Sequence, residues 1–305
     1  MKLNINNILK GMMIIIISLL STTSSKAQLS PFGAMYFQNQ YLGNPAMAGS
    51  KEGLRADLGY SSQQTNMPGA PKTQVLTMGY GIKKVGLGLS LLMDQAGAFN
   101  RTRLMGTYVY NLPIDSDNGN LSFGLSLGLM KERLTDYNGD LNDASVGRFN
   151  QRPAYIDGDF GVAYKKDAIT LQLAVPNLKT FFRTDAANAS NIVDEVKFFS
   201  AVSYKFDVKS SIGTIGLEPK LVYRAVSGYD DIIDLGANAT FLDNKFNFMA
   251  LYHSTKNMSF GFGSKLNDMF YLNAIYRTAT AALNGNATGD FEVNLRVNLP
   301  HKGKK

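Results

Sequence analysis

The chain predicts an all-β protein: a closed antiparallel transmembrane β-barrel of about 14 strands, preceded by a short irregular segment. Three observations lead there. In the stretch 121–129, LSFGLSLGL, Leu121, Phe123, Leu125, Leu127 and Leu129 fall on one face, with only Ser and Gly on the other. A strand keeps such residues on one side, whereas a helix scatters them. The pattern recurs in segments of about ten residues, the length a tilted strand needs to cross a bilayer. The connections also alternate. They are mostly short after even strands (83–84, 166–168, 242–245, 266–267) and mostly long after odd ones (63–72, 132–154, 176–195, 279–290). Outer-membrane barrels show this asymmetry, with short periplasmic turns and long outer loops.

Residues 1–27 read as a signal peptide. Lys2 and Lys10 form a basic start, 11–20 an apolar core too short to span a membrane, and Ser25-Lys26-Ala27 a small-x-small cleavage site. Residues 28–50 do not alternate and carry Pro31, Gly33, Gly43, Pro45 and Gly49 among aromatics, so they read as irregular. The barrel, 51–299, divides into strands at 54–62, 73–82, 85–93, 103–111, 121–131, 155–165, 169–175, 196–206, 215–225, 232–241, 246–253, 258–265, 270–278 and 291–299. Pro219 lacks an N–H, so the ninth strand should carry a bulge or distortion. Two connections fit the alternation less well: 112–120 is long for a turn and 254–257 short for a loop. Residues 300–305 form a basic periplasmic tail. A secreted β-sandwich is the competing architecture, but sandwiches rarely sustain this many one-sided strands.

In lipid the barrel must close, because each unpaired backbone group costs several kcal/mol. Tyr60, Tyr80, Tyr110, Tyr155, Tyr223 and Tyr252 stand near strand ends, where interfacial girdles form. Cysteine is absent, which excludes disulfides and a lipidated N-terminal cysteine. The net charge of +7 owes much to the two ends of the chain, so it does not point to nucleic acid.

By parity Arg55, Asp57, Asp157, Asp159, Lys197, Glu218, Lys220, Arg224, Glu292 and Arg296 face the lumen. Both signs are present, which suits pairing across the interior rather than a selective ring of one charge. Gly86, Gly88 and Ser90 with Ser122, Gly124, Ser126 and Gly128 make smooth inward patches. Residues 28–50 are expected to fold into the barrel as a plug, with their aromatics against this wall.

Enzymatic chemistry finds little support. His253 and His301 are the only histidines, and no G-x-S-x-G elbow or ordered triad accompanies His253. The loop 136–143, DYNGDLND, offers oxygen ligands that calcium accepts, but it departs from the EF-hand order and reads equally as a surface turn. No cofactor or metal site is expected.

The run Tyr41-Leu42-Gly43-Asn44-Pro45-Ala46-Met47-Ala48-Gly49-Ser50, with Tyr36 and Phe37 before it, resembles the start of mature PorP/SprF-type proteins of the type IX secretion system. The resemblance implies an outer-membrane protein of Bacteroidota-type bacteria, without enzymatic activity, in contact with outer-membrane lipid. It implies that the protein binds, secretes or anchors a large surface adhesin together with type IX components, including adhesins used in gliding. The partner surface is then expected on the outer loops at Tyr137, Phe149, Phe181 and Phe182, since exposed aromatics anchor interfaces. The alternative is a FadL-like outer-membrane channel for small hydrophobic molecules, which should show a continuous apolar tunnel.

Overall fold

Alternation of side chains across a pleat becomes, in a computed structural model, a single sheet rolled onto itself. The structure describes residues 34–63, 69–114, 119–135, 144–182, 196–210, 213–226, 230–279 and 288–299. Its strands are β1 (Gly53–Ser62), β2 (Lys72–Ile82), β3 (Val85–Ala96), β4 (Phe99–Pro113), β5 (Asn120–Leu134), β6 (Tyr155–Lys166), β7 (Ile169–Val175), β8 (Val196–Tyr204), β9 (Phe206–Ser210), β10 (Gly213–Val226), β11 (Ile232–Phe241), β12 (Phe246–His253), β13 (Asn257–Lys265), β14 (Phe270–Arg277) and β15 (Asp290–Leu299). Each pairs antiparallel with its neighbours. β1 meets β15 from Leu54↔Leu299 to Ser62↔Phe291, so the cylinder closes. β8 and β9 both pair with β10 and form one interrupted stave, giving 14 staves. The predicted signal peptide, the calcium-like loop 136–143, Tyr137 and the tail 300–305 lie outside the described residues.

The two faces separate as parity requires. Leu127 is 64% exposed on the outside, while its neighbour Ser126 is 2% exposed within. Leu58, Leu89, Leu125, Phe160, Leu173, Phe248, Phe262 and Val293 continue the outer apolar belt. This inverts a soluble core: the apolar side faces out because lipid, not water, surrounds it. Tyr80 and Tyr110 mark the end of the barrel where β1 begins, and Tyr60, Tyr223 and Tyr252 the opposite end. Tyr155 departs from the girdle expectation. It shares the inward parity of Asp157, its hydroxyl lies 2.6 Å from Met130 Sδ, and Lys179 Nζ stands 3.5 Å over its ring.

Three local departures from the sequence reading have physical reasons. β3 and β4 run on past the apolar alternation to a two-residue hairpin, Gly97-Ala98, where the sequence suggested a long connection. The extension is polar but still paired: Asp94 accepts from Thr73 at 2.7 Å and from Arg101 at 3.4 Å. Of the bulge or distortion expected at Pro219, the strand shows the distortion and not the bulge. The register between β10 and β8–β9 is the same on both sides of it, with Lys220↔Ser203 above and Leu217↔Phe206 below. Instead the ladder lapses beside Pro219, because a donor is missing, and this lapse divides β8 from β9. The bulge lies elsewhere, where Ala225 pairs with Phe198 but Val226 with Val196. Lys197 is the extra residue there. The bulge turns Val196 into the buried interior and leaves Lys197 exposed, so Lys197 is not part of the buried lumen set.

Candidate functional site: the filled lumen

Residues 34–50 lie inside the cylinder. Two short 3-10 turns shape them, Gln40–Leu42 and Pro45–Met47. Pro45 suits the first position of its turn, and the Asn44 side chain caps it by accepting from Ala46 N at 2.9 Å. Asn44 Nδ2 also donates to Val162 O at 3.0 Å, fixing the turn to β6. At Gly49 the chain takes φ +60 and leaves the lumen toward β1.

The wall beneath this segment is made of glycines paired across strands. Gly79 faces Gly88, Gly81 faces Gly86, and Gly124 faces Gly161. A Cβ on Gly124 would lie 2.3 Å from Ala46 N and 2.4 Å from Pro45 C. One on Gly161 would lie 2.1 Å from Asn44 Oδ1, one on Gly86 2.5 Å from Ala48 O, and one on Gly88 2.6 Å from Tyr41 Oη. The signature run therefore seats its backbone in grooves that only hydrogen side chains leave open. The smooth patches on β3 and β5 do meet the segment, but mostly through Pro45, Ala46 and Ala48 rather than through aromatics. Among the described aromatics of the segment Tyr41 reaches that wall, bonding Thr107 Oγ1 at 2.6 Å. Burial lifts its pKa to about 12.

Tyr36 and Phe37 take the opposite wall. Tyr36 and Met35 pack with Phe199, Val222, Met249, Leu251 and Ile275, and Phe37 and Leu42 flank this cluster. Around them the lumen charges work mainly as anchors. Tyr36 Oη donates to Asp234 at 2.8 Å, Lys220 donates to Tyr36 O at 2.9 Å, and Ala34 N donates to Glu292 at 3.1 Å. Asn39 donates to Thr77 at 2.8 Å and Gln172 to Gln40 at 2.9 Å. Arg55 and Arg296 both donate to Gln38 O, and both grip Asp57 at 2.9 Å. Further pairs join Arg224 to Asp234, Arg103 to Asp159 and Lys220 to Glu218. Asp157 and Asp159 do something parity could not foresee. They accept from Lys179 N at 3.0 Å and Asn177 N at 2.9 Å, tying the one-turn helix Leu178–Phe181 to the rim.

Asp234, Ser259, Thr107 and Arg103 escaped the sequence reading, although the parity that picked out Arg224 also turns Asp234 inward. His253 Nδ1 lies 2.7 Å from Asp234 and Nε2 2.7 Å from Ser259 Oγ. The order of contacts is that of a hydrolase relay. Yet Ser259 is wholly buried, and Asp234 also holds Arg224 and Tyr36. A nucleophile must meet substrate, so this geometry acts as a clamp joining β11, β12, β13 and the lumenal segment.

Of the loop aromatics, Phe149 stands on the helix Ala144–Asn150 and packs edge-on against Phe99 with centroids 6.3 Å apart, while Arg152 covers its ring. Asn150 ties that helix down through Leu134 N and O. Phe182 is 73% exposed, and the side chain of Phe181 lies outside the described residues.

The family model described as type IX secretion system membrane protein PorP/SprF matches residues 25–297. The chain belongs to the PorP/SprF family. It is thus a membrane component of type IX secretion with an outer-membrane barrel fold, and the seated run is the segment whose resemblance first suggested the family. No curated protein matches it by sequence. Among solved structures it is similar to the CymD monoaromatic hydrocarbon channel, at 13% identity and TM-score 0.52, covering 87% of this chain and 94% of that one. The toluene transporter TbuX of Ralstonia pickettii aligns at 11% identity and TM-score 0.49, covering 91% of this chain and 96% of that one. The first likeness is one of fold.

Proposed function

We propose that this PorP/SprF protein holds a large secreted adhesin at the cell surface with other type IX components, using its outer loops rather than its lumen. The observation that supports this reading is the filled interior. The signature segment is bonded to both walls, so cargo meets a closed cylinder and an exposed rim. That rim carries the exposed Phe182, while Phe149 packs within its own loop against Phe99 and Arg152. In this orientation β1 starts on the periplasmic side. The predicted domain layout, a plug at 28–50 and a barrel at 51–299, belongs to the same proposal, as do the outer-membrane location in a Bacteroidota-type cell and the adhesin itself. Replacing loops 132–154 and 176–195 by tight turns should leave a heat-modifiable barrel that no longer retains the adhesin on cells. Normal retention overturns the reading.

A channel for small hydrophobic molecules is the rival. It needs an apolar tunnel, whereas the cavity beside Tyr41, about 70 Å³, places Arg101, Arg103 and Asp159 among its walls. Uptake of a labelled hydrocarbon by vesicles bearing the intact protein would favour the rival.

A further inference from the structure

Below the seated segment, at the mouth where β1 begins, the lumen opens into a chamber of about 550 Å³. Among the described residues five cations line it: Lys51, Arg55, Lys165, Lys205 and Arg296. The acids among them do not balance them. Arg55 and Arg296 share one carboxylate, Asp57, whose two oxygens are both taken. Lys205 lies 3.3 Å from Asp207, and Glu218 is engaged by Lys220 at 3.3 Å. Among the described residues neither Lys51 nor Lys165 has an ion-pair partner, which leaves only Asp167, on the turn after β6, to set against two lysines. Water reaches Lys51, yet the surrounding protein and the four neighbouring cations lower its pKa.

We propose that this chamber binds an acidic peptide segment, entering from the β1 end with several carboxylates spaced along an extended chain. A surplus of positive charge in a partly enclosed mouth raises the local concentration of anions. The arrangement favours a peptide over a single phosphate. Phosphate recognition needs free donors converging on one point. The pair that converges, Arg55 and Arg296, is already engaged by Asp57 and Gln38 O, and Lys51, Lys165 and Lys205 stand apart on the entry segment, β6 and the β8–β9 break. Between them Asn111 and Asn238 turn Nδ2 donors, and Asn120 an Oδ1 acceptor, toward a peptide backbone, their other amide atoms being held by Ser122 and Asn247. The proposal is independent of what the outer loops hold.

Calorimetric titration of the full-length barrel in detergent micelles tests it, with an end-capped hexa-aspartate peptide as probe. The peptide should bind, and raising salt from about 0.05 to 0.5 M should weaken it severalfold. Lys51→Gln with Lys165→Gln should weaken it about tenfold, while Lys83→Gln with Lys84→Gln, on the β2–β3 turn outside the chamber, should leave it unchanged. Heat-modifiable migration reports folding. Should the double variant not fold, Lys51→Gln alone, which lies outside the strands, should still weaken binding about threefold. The proposal fails if hexa-aspartate does not bind, if hexalysine binds as well, if inorganic phosphate displaces the peptide at equal charge, or if the lysine variants bind like the parent.

Discussion

Gly124→Val is the sharpest perturbation of the lumenal seat. The added Cβ would lie 2.3 Å from Ala46 N and 2.4 Å from Pro45 C, both backbone atoms of a capped turn. Ordinary contact begins near 3.4 Å, so the turn must retreat from the wall by roughly 1 Å, which pulls Asn44 away from Val162 O. Overpacking of this kind costs about 1–3 kcal/mol. Valine suits a strand, and the outward face of β5 is untouched, so the cost falls on the seat rather than on the ladder. At about 1.4 kcal/mol per decade, the unseated population should rise about 5- to 150-fold. Single-channel recording in planar bilayers reads this directly: rare openings should become frequent, and deletion of residues 29–48 should give the full conductance. If G124V and the deletion both record like the parent protein, the segment does not seal the lumen, and the reasoning is wrong.

Asn44→Ala removes the cap of the second turn and the bond to Val162 O; about 1–2 kcal/mol of seat stability should go with it, seen as an intermediate opening frequency. Asp234→Asn strips a buried carboxylate from Arg224 and His253, and should lower the urea midpoint for loss of heat-modifiable migration by the equivalent of about 3–5 kcal/mol, whereas Ser259→Ala should cost about 1. An unchanged midpoint for D234N would mean the clamp carries no weight. Tyr41 is held neutral by burial, with its pKa raised to about 12. A raised folded-state value means stability that is full below pH 10 and lost as pH climbs toward 12. Opening frequency should therefore be flat to about pH 9 and rise above it, and Tyr41→Phe should flatten part of that rise.

The cylinder could be read from the chain because its signal is one-dimensional. Leu121 to Leu129 alternate with Ser and Gly whatever lies across the barrel, and lipid makes the apolar side unmistakable. What escaped was set by contacts distant in sequence. Nothing near residue 94 says that Asp94 will pair with Thr73 and Arg101, so the polar top of β3 looked like loop. Lys197 obeyed parity on paper, but one extra residue opposite Val226 reversed it. The glycines were visible as a smooth wall. That they face one another in pairs depends on register, and register depends on partners tens of residues away. Asp234 and Ser259 met His253 for the same reason.

Gln38 O receives guanidinium groups from β1 and from β15, and Asp57 of β1 holds Arg296 of β15. These are the two staves that must find each other from opposite ends of the chain, the most costly pairing in loop entropy. The lumenal segment thus doubles as a fastener across the closing seam. A barrel whose stopper is missing should be slower to zip shut, before any question of leakage arises.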